Sequence, residues 1–109
     1  MSTSKLLETD FLADLLTFLQ QAPTPFHAVT VMSQRLAAAG FIELKEGDSW
    51  TLTAGQGYYS SRNGSSIVAF VYGRDALLDS GIHMVGAHTD SPCLKVKPQP
   101  ELVRKGYFQ

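Results

Sequence analysis

Four side chains capable of chemistry fall within six residues of the stretch VGAHTDSPCLKVKP (residues 85–98): His88, Asp90, Ser91 and Cys93. The motif H-x-D suits a metal site. A metal-bound imidazole needs its ring held and its tautomer set, and a nearby carboxylate does both by accepting the proton of the other ring nitrogen. An aspartate that caps a turn beside an unrelated histidine produces the same tripeptide. On the tripeptide alone, both interpretations stay open.

Two nucleophile hypotheses compete with the metal hypothesis. Ser91 lacks the G-x-S-x-G context of a nucleophile elbow and precedes Pro92, which favours an extended or turn dipeptide. Cys93 could act as a thiolate with His88, but it stands beside the apolar Leu94, where a single cysteine is usually a small core residue. We therefore interpret both as structural residues.

Two further histidines have simpler interpretations. His27 falls in the first turn of a predicted helix, where the positive end of the helix dipole disfavours an imidazolium. A neutral surface histidine is favoured there, and a role in lining a substrate pocket is the alternative. His83 lies in an apolar run and is interpreted as a core or interlayer histidine rather than as a ligand.

Two helices are predicted to open the chain. Apolar residues recur every four positions from Leu7 to Leu19, which indicates an amphipathic helix with a broad buried face over about residues 5–21. Thr24 is placed to cap a second helix that has Pro25 at its first position, and Gly40 is suited to end it.

Strands are predicted in the rest of the chain. FIELKEG and SWTLTAG are short candidates, and the pair Asn63 and Gly64 predicts a tight hairpin turn between residues 58–62 and 66–72. The second of these runs is more apolar, so we expect it to be the more central strand. Residues 82–88 are expected to form a central strand that ends at the H-x-D motif, and 94–97 a half-buried strand. The order of elements predicts an α/β or α+β fold.

The composition excludes several function classes. The chain has 109 residues, a net charge of −1 and no basic run, so neither nucleic acid nor an anionic membrane is expected as a partner. One cysteine cannot form an internal disulfide, which indicates a reducing compartment. The N-terminal apolar residues are interrupted by Glu8, Asp10 and Asp14, unlike a signal peptide. We expect a cytoplasmic protein.

Four segments in this order and spacing carry a family resemblance: APTPFHAV, YYSSRNGSSIVAF, VGAHTDSPCLKVKP and RKGYFQ. From about residue 10 to residue 109 the sequence resembles the aspartyl aminopeptidases, a family of two-zinc exopeptidases. The resemblance implies release of N-terminal Asp or Glu from peptides. It also implies large homo-oligomers built from dimers.

The resemblance further implies a place in the fold and two site residues. The catalytic domain of the family is an α/β/α sandwich, and residues 1–98 would be its N-terminal portion. Residues 99–109 would begin an inserted β-rich dimerisation domain. His88 would bind zinc, while Asp90 would support the His88 ring and count as catalytic.

The chain offers only part of the site that the resemblance implies. A dinuclear zinc centre needs about five or six protein ligands and a general base. The sequence has no adjacent glutamates, although the family's base belongs to such a pair. We predict the N-terminal part of a zinc aminopeptidase, with the isolated chain inactive. The alternative is a catalytically incompetent structural or self-association module, and a Cys93 hydrolase ranks last.

Overall fold

The two predicted helices are present in the computed structural model, which describes residues 3–91, 94 and 96–108. Helix α1 spans Thr3–Gln21 and α2 spans Pro25–Ala38. Thr24 caps α2 as predicted: its backbone is extended, and its Oγ1 accepts a hydrogen bond from the backbone N–H of His27 at 3.3 Å. Gly40 follows α2 with φ +89°, a conformation that glycine adopts without strain.

A mixed three-stranded sheet follows the helices. Strands β1 (Ile42–Glu43), β2 (Gly57–Arg62) and β3 (Ser66–Val71) lie in the order β1-β2-β3. The β1–β2 pair is parallel and the β2–β3 pair antiparallel. Asn63 and Gly64 form the predicted turn with φ of 54° and 65°. Two helices followed by a mixed sheet confirm the α/β class.

The remaining elements are short. Helix α3 spans Leu77–Ser80, and a two-stranded antiparallel sheet contains β4 (Val103–Arg104) and β5 (Tyr107–Phe108).

The core lies between α2 and β2 and is small. Its buried apolar residues are Ala28 and Val29 on α2 and Tyr58 and Tyr59 on β2. The most buried strand is therefore β2, and the prediction that residues 66–72 would be more central is wrong within the described sheet. The radius of gyration is 20.3 Å, whereas a compact chain of this length would have about 13 Å. Much of the chain therefore lies outside the core.

The predicted buried face of α1 is exposed. Among the described elements α1 packs only against α2. Arg35 links the two helices, because its guanidinium lies 2.8 Å from a carboxylate oxygen of Asp14 and 5.3 Å from the centre of the Phe18 ring. Phe11 is 72% exposed, so the apolar stripe of α1 covers little of the protein described here.

Two predicted strands, SWTLTAG and residues 82–88, do not form. Residues 50–56 form a loop instead. Trp50 Nε1 donates to the Lys45 carbonyl at 2.8 Å, Thr53 N–H donates to the Tyr58 hydroxyl at 2.7 Å, and Gly55 N–H donates to the Tyr72 carbonyl at 2.6 Å. Residues 82–88 lie outside every helix and strand, and none of their backbone groups bonds to another backbone group of the described residues. The central strand that was expected to carry the H-x-D motif is thus unpaired. The described part of 94–97 is also exposed rather than half-buried.

Candidate functional site

The ring of His88 is oriented by the residue two positions later. Its Nδ1 lies 2.5 Å from the backbone carbonyl oxygen of Asp90 and 3.3 Å from the Asp90 carboxylate Oδ1. A carbonyl oxygen can only accept a hydrogen bond, so Nδ1 must carry the proton. A neutral His88 therefore has its lone pair on Nε2, the form in which imidazole binds a metal.

The site is open to solvent. The side chains of His88 and Asp90 are each 77% exposed. The residue between them is anchored, because Thr89 Oγ1 donates to the Ser65 carbonyl at 2.9 Å. This bond ties the H-x-D turn to the end of the β2–β3 hairpin. Thr89 was not among the predicted site residues, although its hydroxyl inside the motif was the signal available.

The remaining candidate site residues are His27, His83, Ser91 and Cys93. His27 Nδ1 is 2.7 Å from Thr24 Oγ1, and His27 helps to line a shallow cavity of about 210 Å³ beside α2. His83 is exposed, so its interpretation as a core histidine is wrong. Within the described residues, no hydrogen bond or ion pair joins either histidine to His88. Ser91 is exposed, and Cys93 lies outside the described residues.

The described residues offer one candidate metal ligand, His88, rather than a complete metal centre. Across residues 3–91, 94 and 96–108, no group of three or more His, Cys, Asp or Glu side chains could hold a metal ion. The donor chemistry of His88 fits zinc, which binds neutral imidazole nitrogen, and the Asp90 oxygens provide the outer support that such a ligand normally has. The arrangement of His88 and Asp90 could therefore provide one ligand of a zinc site.

Sequence comparison identifies the family. The family model described as "Aminopeptidase I zinc metalloprotease (M18)" matches residues 18–109. The chain belongs to the M18 aminopeptidase family. The "Probable M18 family aminopeptidase 2" of Pseudomonas putida (strain GB-1) is 58% identical over 95 residues, which are 87% of this chain and 22% of that protein. The protein of the same name from Ectopseudomonas mendocina (strain ymp) is 52% identical over 103 residues, which are 94% of this chain and 24% of that protein.

Solved structures agree with the M18 assignment. A chain in the cryo-EM structure of the Ape4 and Nbr1 complex superposes with a TM-score of 0.72 and 36% identity, over 89% of this chain and 19% of that one. The structure of Chaetomium thermophilum mApe1 superposes with a TM-score of 0.56 and 44% identity, over 59% of this chain and 15% of that one. This M18 chain thus spans about a quarter or less of the length of these relatives. No helix among the described residues is both long and apolar enough to cross a membrane.

Proposed function

We propose that this chain contributes one zinc ligand, His88, to an aminopeptidase that releases N-terminal Asp or Glu from peptides. The observation that carries the proposal is the hydrogen bond from His88 Nδ1 to the Asp90 carbonyl, which leaves Nε2 free to bind a metal. The family is a zinc metalloprotease family, so zinc is the metal to expect at that nitrogen. The preference for acidic N-termini rests on the sequence motifs alone.

The roles of the two residues follow from their contacts. His88 would hold zinc through Nε2, and the Asp90 carboxylate, 3.3 Å from Nδ1, would add negative charge that makes the imidazole a stronger donor. Thr89, through its hydrogen bond to the Ser65 carbonyl, would fix the position of His88 and Asp90 relative to the sheet. When bound, zinc would supply Lewis-acid polarisation of the peptide carbonyl and an acidified water as nucleophile.

The rest of the site would come from outside these 109 residues. The relatives are about four times as long, which leaves room for the second zinc ion, the remaining ligands and the general base. We further propose that the complete protein is a cytoplasmic homo-oligomer built from dimers. The β4–β5 hairpin would begin the inserted dimerisation domain at residues 99–109, after the catalytic portion at residues 1–98.

The test is the variant Asp90→Ala in a full-length aminopeptidase that contains these residues. Activity or zinc affinity should fall by roughly 10- to 100-fold, as for other outer partners of metal ligands. The fall should lie near tenfold, because the backbone carbonyl of residue 90 survives the substitution and still orients Nδ1. Asp48→Ala removes an exposed carboxylate elsewhere and is the control. Equal turnover and zinc content in both variants would remove Asp90 from the mechanism.

The second candidate function is a catalytically incompetent module. It is favoured by the lack of any three-ligand group in the described part of the chain. The purified 109-residue chain, given zinc and a peptide with N-terminal Asp, should release no aspartate. Chelator-sensitive release by the pure chain would contradict this candidate.

A further inference from the structure

One hydrogen bond connects the segment that carries His88 to the rest of the described protein. Thr89 Oγ1 donates to the Ser65 carbonyl at 2.9 Å in a partly buried position. Among the described residues, no other hydrogen bond or ion pair joins residues 82–91 to the remainder of the chain. The Ser65 carbonyl is therefore the fixed point from which the position of His88 is set.

Ser65 lies at the tip of the β2–β3 hairpin. Its N–H donates to the Arg62 carbonyl at 3.2 Å and closes the turn, and the last cross-strand pair is Arg62 with Ser66. The tip residues Asn63 and Gly64, which both have positive φ, lie beyond that pair. A loop tip is normally more mobile than the strands that it joins. The Ser65 carbonyl can therefore serve as a fixed point only if other elements hold the tip.

Two contacts hold the tip from outside the hairpin. The Arg62 guanidinium donates to both carboxylate oxygens of Glu46, at 2.9 and 3.1 Å. The Arg62 side chain is 70% exposed, so salt screens this ion pair and it holds the tip only weakly. The second contact is the Phe26 ring, since a Cβ built on Gly64 would lie 3.6 Å from Phe26 Cδ1. A van der Waals contact is not screened by salt, so Phe26 holds the tip at any ionic strength.

Phe26 is well placed to hold the tip and contributes little to the core. It lies in the first turn of α2, and its carbonyl accepts a hydrogen bond from Thr30 Oγ1 at 2.9 Å. Its side chain is 60% exposed, whereas the buried residues of α2 are Ala28 and Val29. Truncation of Phe26 should therefore release the hairpin tip while the packing of α2 on β2 persists.

We propose that Phe26 is a positioning residue for the zinc ligand His88. Its ring holds the hairpin tip at Gly64, and the tip in turn fixes the Ser65 carbonyl. Thr89 then transmits that position to His88 through its hydrogen bond. This inference rests on the zinc-ligand function proposed for His88, and it adds to that function a residue from a different element of the fold.

Zinc affinity of a full-length aminopeptidase that contains these residues tests the inference. Thr89→Val removes the hydroxyl and keeps the side-chain shape, so it should weaken zinc binding by about tenfold, the lower end of the range for outer partners of metal ligands. Phe26→Ala acts one contact further away and should weaken binding by about three- to tenfold. Thr89→Ser keeps the hydroxyl and should bind zinc like the wild type. Phe11→Ala is the matched control, because it removes a similarly exposed ring, 72% exposed, from α1.

The double variant Phe26→Ala/Thr89→Val separates positioning from a general loss of stability. Once the Thr89 hydroxyl is absent, Phe26 has no route to His88, so the double variant should bind zinc as weakly as Thr89→Val alone. Losses that add would show that Phe26 acts by another route. Equal zinc affinity of Phe26→Ala and Phe11→Ala would also overturn the inference.

Hydrogen exchange of the zinc-free full-length protein provides a readout that does not depend on metal. Phe26→Ala should speed amide exchange in peptides that cover residues 62–66, and Phe11→Ala should not. Unchanged exchange at the tip would refute the contact between Phe26 and Gly64.

The variant His88→Ala distinguishes failure of this inference from failure of the proposed function. Weak zinc binding by His88→Ala together with normal binding by Phe26→Ala would reject the positioning role alone. Normal zinc binding by His88→Ala would reject both the zinc-ligand function and the positioning role.

Discussion

Replacing Gly57 by alanine tests the packing between β2 and the segment that leads out of α2. Gly57 is the first residue of β2, and a Cβ built there would lie 2.7 Å from Phe41 Cε2 and 2.8 Å from two further ring atoms. The backbone of Phe41 is fixed by a hydrogen bond, since its N–H donates to the Leu36 carbonyl at 3.0 Å. The added methyl group can be accommodated only if the ring or β2 shifts.

The magnitude follows from two opposing effects. Overpacking a well-packed site typically costs about 1–3 kcal/mol. The lower conformational entropy of the unfolded chain offsets about 0.4–1 kcal/mol. We expect Gly57→Ala to lower the free energy of unfolding by about 1–2 kcal/mol.

Gly47→Ala is the matched control. A Cβ at Gly47 would meet no atom within 4 Å, and its φ lies outside the left-handed region. The free energy of unfolding of Gly47→Ala should equal that of the wild type or exceed it by up to about 1 kcal/mol. Urea unfolding followed by near-ultraviolet circular dichroism of the tyrosines compares the two variants, with equal denaturant slopes required. Equal stability of the two variants would refute the proposed contact between Gly57 and Phe41.

Two further predictions concern the hairpin and the loop before it. Tyr58→Phe removes the hydroxyl that accepts from Thr53 N–H, so the same unfolding assay should show a loss of about 1 kcal/mol; no loss would mean that water replaces the hydroxyl. The hydrogen bond from Arg62 holds the pKa of Glu46 below its ordinary value of 4.5. A depressed carboxyl pKa stabilises the fold above the unfolded pKa, and this contribution disappears as the pH falls through the folded pKa. Glu46→Gln should therefore flatten the fall in stability below about pH 4.5, and added salt should weaken the effect in the wild type.

Features fixed by neighbouring residues could be predicted from the sequence. The cap of α2 depends on Thr24 and the residues just after it, and the hairpin turn depends on Asn63 and Gly64, so both were predicted correctly. The motif residues His88 and Asp90 are two positions apart and do contact each other.

Features that need distant partners could not be predicted. The leucine spacing of α1 indicates an apolar face but not what covers it. The apolar composition of β3 and of residues 82–88 indicated central strands, yet strand position depends on which other strands lie beside them. The role of the Asp90 carbonyl depends on backbone conformation, which residue types alone do not specify.

The zinc-ligand proposal is tested most directly by nitrogen-15 NMR of the imidazole rings during a zinc titration of the 109-residue chain. His88 should start as the Nδ1–H tautomer, and zinc should shift its Nε2 resonance before those of His27 or His83. His27, whose Nδ1 lies 2.7 Å from Thr24 Oγ1, is an internal reference. A proton on Nε2 of His88, or zinc shifts of equal size at all three histidines, would contradict the proposal.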